Sequence, residues 1–395
     1  MFAAPFVGQL GHGHVDGVYT MAQDPGSLQS FASGSGDGVL KVWDLTSRNE
    51  TWQVRAHENM VRDTCWTPQR KLVSCGADRM VKVWDPYKVE TSESPLATYL
   101  GQAPFTSISH HRAQPFIAAA SSSISIYDLS RSSSAPSQTL SWPTATDTIN
   151  AISFNQTETS ILASVALDRA IALYDLRTSS VLAKVVLKLS SNAISWNPME
   201  AFNLAVANED HNVYLFDMRR LDRALNVLKD HVAAVMDIGF SPTGEELVSA
   251  SYDRTIRLWN RDRGHSRDIY HTKRMQRVFS AMFTPDSRYV LSGSDDGNVR
   301  VWRANASDRS GIKSARQQQK LDYREALVRR YAHMPNIRRI KRQRHVPKTI
   351  KKASEIKSEE MRSMKRKEDN VRKHSKKGTI PHQSERQKMI IGVVK

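Results

Sequence analysis

Cysteine is scarce in this chain, long apolar runs are missing, and the last quarter has few acidic and aromatic residues. The two cysteines, Cys65 and Cys75, fit no zinc-ligand spacing and are too few for a disulfide scaffold. Buried thiols in a reducing compartment are the expectation. No run reaches the ~20 apolar residues of a membrane span, and Met1–Leu10 lacks the basic start of a secretory signal. No membrane partner is expected. Gly-rich phosphate loops are missing too, because Gly-Ser-Gly-Asp-Gly at 34–38 reads as a tight turn between strands. The 13 histidines are scattered without ligand spacing. Even the adjacent pair His110-His111 would point to opposite faces of a strand. These absences predict no enzyme, metal site, cofactor or small-molecule substrate.

What is present is a repeat. Leu247–Asn260 reads Leu-Val-Ser-Ala-Ser-Tyr-Asp-Arg-Thr-Ile-Arg-Leu-Trp-Asn, and Val290–Arg303 reads Val-Leu-Ser-Gly-Ser-Asp-Asp-Gly-Asn-Val-Arg-Val-Trp-Arg. Further copies close at Asp44, Asp85, Asp128, Asp175 and Asp217, in steps of 41 to 47 residues. Within a copy, the alternating run before the closing aromatic is a half-buried strand, and the Asp-containing triplet before it is a turn. Four copies share a histidine (His14, His57, His231, His271), a serine (Ser33, Ser74, Ser249, Ser292), a turn aspartate (Asp37, Asp78, Asp253, Asp296) and a tryptophan (Trp43, Trp84, Trp259, Trp302). This period and signature resemble the WD-repeat family, whose repeats form blades of a β-propeller. The resemblance implies a buried hydrogen-bond network in each blade, so His and Asp here are read as scaffold rather than chemistry. Pro5–Leu10 is expected to close the ring by pairing in the blade that ends at Trp302, which removes an exposed edge.

The middle copies deviate. The third, roughly Tyr99–Asp128, has neither turn aspartate nor tryptophan, and a Ser-rich connection at Ser130–Gln138 reads as a flexible surface loop. The fourth and fifth replace tryptophan with Tyr174 and Phe216, aromatics that fit the same core position. They end Tyr174-Asp175-Leu176-Arg177 and Phe216-Asp217-Met218-Arg219. Two successive aromatic-Asp-X-Arg boxes resemble those of cullin-RING ligase substrate receptors. That resemblance implies ligase-adaptor contact through Asp175, Arg177, Asp217 and Arg219. The plainer reading is exposed strand ends with local ion pairs worth little.

Charge divides the chain. It holds 57 Lys+Arg against 40 Asp+Glu, yet residues 303–395 alone carry 28 against 9. The repeats are near neutral and the tail holds the whole excess, which points to an acidic partner, above all nucleic acid. Residues 314–334 read as a helix whose stripe Leu321, Leu327, Val328, Tyr331 and Met334 should pack on the propeller. Pro347 interrupts any helix. Residues 351–375 are helix-permissive with thin apolar support from Ile356, Met361, Met364 and Val371, and should order on a partner. Met389–Val394 is an apolar hexad expected to anchor into a protein surface. Aromatics are sparse after Tyr331, so backbone phosphate is the expected target rather than base stacking or sequence readout. The candidate contacts are Arg338, Arg339, Lys341, Arg342, Arg344, Lys348, Lys351, Lys352, Lys365, Arg366, Lys367, Arg372, Lys373, Lys376 and Lys377. Two of these basic stretches also suit nuclear import.

Arg-Ile-Lys-Arg-Gln-Arg-His-Val-Pro-Lys (339–348), His-Ser-Lys-Lys-Gly-Thr-Ile-Pro (374–381) and the terminal Val-Val-Lys resemble the Sof-like C-terminal domain of eukaryotic WD-repeat ribosome-biogenesis factors. Trp196–Phe202, Ala207–Asp210 and His271–Gln276 extend that likeness into the repeats. It implies a nucleolar scaffold of the small-subunit processome, associated with the U3 small nucleolar ribonucleoprotein and needed for pre-rRNA processing. The expected partners are pre-ribosomal and small nucleolar ribonucleoprotein proteins and the backbone of pre-rRNA or snoRNA. Animal members are also described as cullin-RING receptors. The resemblance further implies a lead-in longer than the 13 residues found here, so either the contacts of such a segment are missing or the gene model is short. The expected architecture is all-β: a lead-in and ring-closing strand at 1–13, a seven-bladed WD-repeat β-propeller at 14–303, and a basic, mostly helical C-terminal domain at 304–395.

Overall fold

The computed structural model describes residues 5–88, 93–131, 134–142, 147–306, 313–343, 346–376 and 378–394. Ser132 and Ser133 of the Ser-rich connection, together with Arg344 and Lys377 of the tail, lie outside the described residues.

Seven antiparallel sheets form the propeller. Blade one is the meander Val18–Gln23, Ser30–Ser35, Val39–Asp44 and Glu50–Arg55. Blades two to six span residues 61–100, 107–140, 149–187, 191–228 and 235–270, and blade seven begins at 278. The burial pattern of the strands follows from their place in the sheet. Second strands such as Ile161–Ala166 are buried at every position and are built of small apolar residues and serine. The outer strand Glu50–Arg55 alternates between half-buried and exposed. Apolar clusters fill the spaces between neighbouring blades, as where Leu10, Val18, Phe31, Trp43, Leu291 and Val299 join blade seven to blade one.

Blade seven takes its fourth strand from the N-terminus. Phe6–Gln9 pairs antiparallel with Val299–Arg303, Phe6 facing Trp302, and the amide of Leu10 donates to Val299 O over 3.0 Å. The ring closes as expected. Tyr99 belongs to the outer strand of blade two, not to the third copy, because each sequence repeat starts one strand before its blade. Blade three nonetheless keeps four strands, with Tyr127 buried 4.8 Å from Tyr99. Tyr174 and Phe216 fill the core positions of their blades.

The predicted network is complete in two blades. In blade two, His57 donates from Nδ1 to Asp78 (2.9 Å), Ser74 donates to His57 Nε2 (2.8 Å) and Trp84 Nε1 donates to Ser74 (3.1 Å). His231, Asp253, Ser249 and Trp259 repeat it in blade six at 2.8, 2.6 and 2.7 Å. Blade one keeps only His14, Ser33 and Trp43, with Asp37 serving its own turn. In blade seven Asp296 turns to the buried Arg300. Burial pushes His57 and His231 below the ordinary histidine range, so the rings stay neutral and donate from Nδ1.

After the propeller come α1 (Ala315–Arg330), α2 (Pro335–Arg342), α3 (Lys348–His374) and a strand at Ile390–Val394. Ser314 and Gln317 form a capping box at the start of α1. The chain restarts as α3 after Pro347, which serves as its N-cap.

Candidate nucleic-acid interface and adaptor-facing turns

In a meander propeller, turns between second and third strands share one end with the links between blades, while turns between third and fourth strands lie at the other. Helix α3 and the two Asp-X-Arg boxes therefore take opposite ends. Lys357 of α3 reaches a blade-to-blade link, donating to His231 O over 2.7 Å, whereas Arg177 and Arg219 follow third strands.

The tail holds the propeller at two places. Ile350 is buried at the start of α3, and the Lys357 ammonium sits among Asp210, Asp230, Asp253 and Arg257, where burial lowers its pKa despite the carboxylates. Further on, Ile390–Val394 adds to blade four as a fifth strand, Val393 facing Val185 and Gly392 facing Val186. Met389, Ile390 and Val393 pack on the apolar cluster shared by blades four and five. The terminal hexad thus anchors in a protein surface, and the surface is the chain's own. Lys388 pairs with Glu368, Lys229 with Glu385, and the Ala224 amide donates to Arg386 O over 3.0 Å.

The tail's apolar residues stay largely uncovered. Helix α1 fully buries none of its residues: Leu321, Leu327, Val328 and Tyr331 are half-covered and Met334 is exposed. In α3, Ile356, Met361, Met364 and Val371 also stay exposed, while the helix is tied down through Ile350, Lys357 and Glu368.

The fifteen candidate nucleic-acid residues are spread out. Arg338 and Arg339 are exposed on α2 and line an open cleft of about 820 Å³ with His333, Pro335 and Gln343. Lys341 and Arg342 fall within the same helix, and their side chains are outside the description. Lys348, Lys351 and Lys352 crowd the first turn of α3, which has no acidic residue and no side-chain cap. The helix dipole and three lysines add there, leaving positive potential uncompensated. Lys365, Arg366, Lys367 and Lys373 project from the exposed part of a helix ~40 Å long, and Lys376 follows it. Arg372 is half-buried and tied to Asp369 over 3.3 Å. Lys357, Lys229 and Lys388 went unnoticed in the sequence, since their contacts join segments far apart in the chain.

The two boxes differ. Arg177 is exposed, with only its amide bound to Asp175 (2.9 Å). Arg219 folds back, donating to Asp217 over 2.9 Å and lying 3.8 Å from the Phe202 ring centre. That pairing holds the Asp217 carboxyl below its ordinary range. Between the boxes Ile161, Leu173, Leu182, Ala183, Met218, Arg219 and Leu221 line a cleft of about 220 Å³.

Among the described residues no group of His, Cys, Asp or Glu is placed to hold a metal, and no helix is long and apolar enough to cross a membrane. Cys65 and Cys75 are free, their thiols pushed up by burial. His111 accepts from the Ala113 and Gln114 amides, a turn-closing role.

Comparison with known proteins fits this layout. A model of the Sof1-like domain matches residues 304–390, and a model of the WD domain, G-beta repeat, matches 6–44, 48–85, 223–260 and 263–303. The four matched repeats are those closing on Trp43, Trp84, Trp259 and Trp302. Protein SOF1 of Saccharomyces cerevisiae is 48% identical, covering all of this chain and 84% of its own length. The chain belongs to the Sof1-like family of WD-repeat proteins. Protein sof1 of Schizosaccharomyces pombe is 51% identical over the whole chain and 89% of its own length. DDB1- and CUL4-associated factor 13 of Mus musculus is 43% identical, with the whole chain and 88% of its own length covered.

Proposed function

We propose that this Sof1-like protein is a non-catalytic ribosome-biogenesis scaffold of the nucleolar small-subunit processome, working with the U3 small nucleolar ribonucleoprotein in pre-rRNA processing. The propeller offers rigid faces to protein neighbours, and the tail binds the phosphate backbone of pre-rRNA or snoRNA. One observation carries the RNA assignment: the uncapped first turn of α3, with Lys348, Lys351 and Lys352 and no acid. Each lysine engaged with single-stranded phosphate contributes a log–log salt slope of about −0.7, so ten engaged tail residues would give roughly −7.

Deleting the tail is a poor test, because residues 390–394 add a fifth strand to blade four. Replacing Lys348, Lys351 and Lys352 by Glu leaves that strand in place. Crosslinking to RNA in cells should then lose its peaks on small-subunit precursor or small nucleolar RNA, with pre-rRNA processing slowed. Unchanged peaks and processing would remove the RNA role of this turn.

A second reading is favoured by the exposed guanidinium of Arg177 beside the Arg219 turn, and by relatives named as DDB1- and CUL4-associated factors. We propose that the end carrying Asp175, Arg177, Asp217 and Arg219 receives a cullin-RING ligase adaptor. As α3 lies at the other end, Arg177→Glu with Arg219→Glu should abolish adaptor co-purification and leave pre-ribosome association intact. Adaptor binding that survives both changes would exclude this face.

A further inference from the structure

The innermost strands contain a recurring irregularity. In six blades the register of the first strand slips by one residue near its start: between Val18 and Thr20, Val61 and Asp63, Ile149 and Ala151, Ser191 and Ala193, Val235 and Asp237, and Val278 and Ser280. A bulge re-aims the extra side chain out of the ladder. The extra residues are Tyr19, Arg62, Asn150, Asn192, Met236 and Phe279, and they ring the channel at the end that carries the blade-to-blade links.

This ring has two unlike halves. Asn150 is spent on Ser191 O (2.8 Å) and Asn192 on Val235 O (3.0 Å), tying each blade to the next. On the side of blades six, seven and one, the bulge residues Tyr19 and Phe279 are joined by Tyr252 from a blade-six turn. Tyr19 and Phe279 stack at 4.6 Å with 16° between planes, and Tyr252 meets Phe279 edge-on at 5.9 Å. All three rings remain partly open to solvent, Tyr252 by 38%. Two exposed carboxylates, Asp16 and Asp295, flank the stack, and both push the Tyr19 hydroxyl upward after burial itself. Neither is in an ion pair among the described residues. Two cations complete the mouth. Arg62 faces Tyr19 from blade two, and the Arg277 guanidinium rests 5.4 Å from the Tyr252 ring centre.

We propose that this half of the channel mouth is a docking site for an arginine side chain presented by an extended segment of a partner protein. Aromatic faces attract cations, and a planar guanidinium can stack on a ring while bonding a carboxylate with two N–H groups. Arg277 on Tyr252 shows the same packing within the chain, yet it leaves the Tyr19–Phe279 pair and both carboxylates unused. An acidic segment would meet Asp16 and Asp295 and be repelled. This site is at the end opposite to Arg177 and Arg219, and it uses none of the tail's cations.

The test is titration of the full chain with N-acetyl-Ala-Arg-Ala-amide and with its citrulline analogue, a neutral isostere, followed by calorimetry or NMR. The arginine peptide should bind in the millimolar range, as one stacked ion pair allows, and citrulline about five-fold or more weaker. Asp16→Asn with Asp295→Asn, both exposed and outside the core, should weaken arginine binding by about the same factor. Tyr19→Phe should retain binding while Tyr19→Ala loses it, with circular dichroism showing that both variants are folded. Equal binding of the two peptides, no binding of the arginine peptide, or an unchanged double variant would each overturn the proposal.

Discussion

The ammonium of Lys357 donates over 2.7 Å to the backbone carbonyl of His231, 126 residues earlier and itself part of the blade-six network. One side chain thus joins the basic tail to the buried scaffold. It sits in an acidic surround of Asp210, Asp230 and Asp253, against Arg257, and burial still lowers its pKa. A lysine is kept there because those carboxylates offset part of its desolvation.

Lys357→Met should free α3 from the propeller at a cost of about 1.5–3 kcal/mol, the range for a hydrogen bond from a charged group. Hydrogen exchange should speed up across Lys348–His374 and stay unchanged in blades one to three. If α3 amides exchange at the wild-type rate, Ile350 and the C-terminal strand hold the helix without this contact.

Leu10 is fully buried, and its amide donates to Val299 O where the ring closes. Leu10→Ala should cost about 2–5 kcal/mol by cavity formation. A circular array also loses cooperativity when its closing strand loosens, so denaturant unfolding should broaden as well as shift. An unchanged midpoint would mean that Phe6–Gln9 contributes little to closure.

Arg79, Arg169 and Arg254 hold φ of +66°, +65° and +65° in their second-to-third strand turns, where Gly38 and Gly297 stand in blades one and seven. A side chain in this region costs about 1–2 kcal/mol, and glycine removes most of that. Arg254 is exposed, so Arg254→Gly should raise stability by up to about 1 kcal/mol, seen as a higher melting temperature. A lower one would show that the Arg254 side chain contributes more than its backbone strain costs.

His14 is lowered to about 4, mainly by burial. In the unfolded chain it takes up a proton near pH 6.5, well before the folded chain does. Stability is therefore fully present above about pH 6.5 and falls as pH drops toward 4, by about 3 kcal/mol for this ring. Urea unfolding between pH 7 and 4.5 should show the fall, and His14→Gln should flatten it. An equal slope in the variant would assign the pH dependence to other groups.

Much of the fold was legible because the copies repeat their own chemistry. A strand period of two, a turn aspartate and a closing aromatic recur often enough to count the blades, and Pro5–Leu10 could be matched to the edge that lacked a strand. Charge counting likewise separated the tail from the propeller. Sequence could not decide where that tail goes. Lys357 meets His231, and Val393 meets Val185, only after the ring has brought blades four and six beneath the tail. The apolar stripe of α1 was a weak guide, because a helical stripe states which face is sticky and not what lies under it. The aromatic half of the channel mouth was invisible for a similar reason. Tyr19, Tyr252 and Phe279 come from three blades and meet only through ring closure, Tyr19 and Phe279 aimed there by bulges that leave no mark in the residue pattern. Local periodicity determines which elements form, and contacts between distant elements are set by geometry that a linear pattern does not carry.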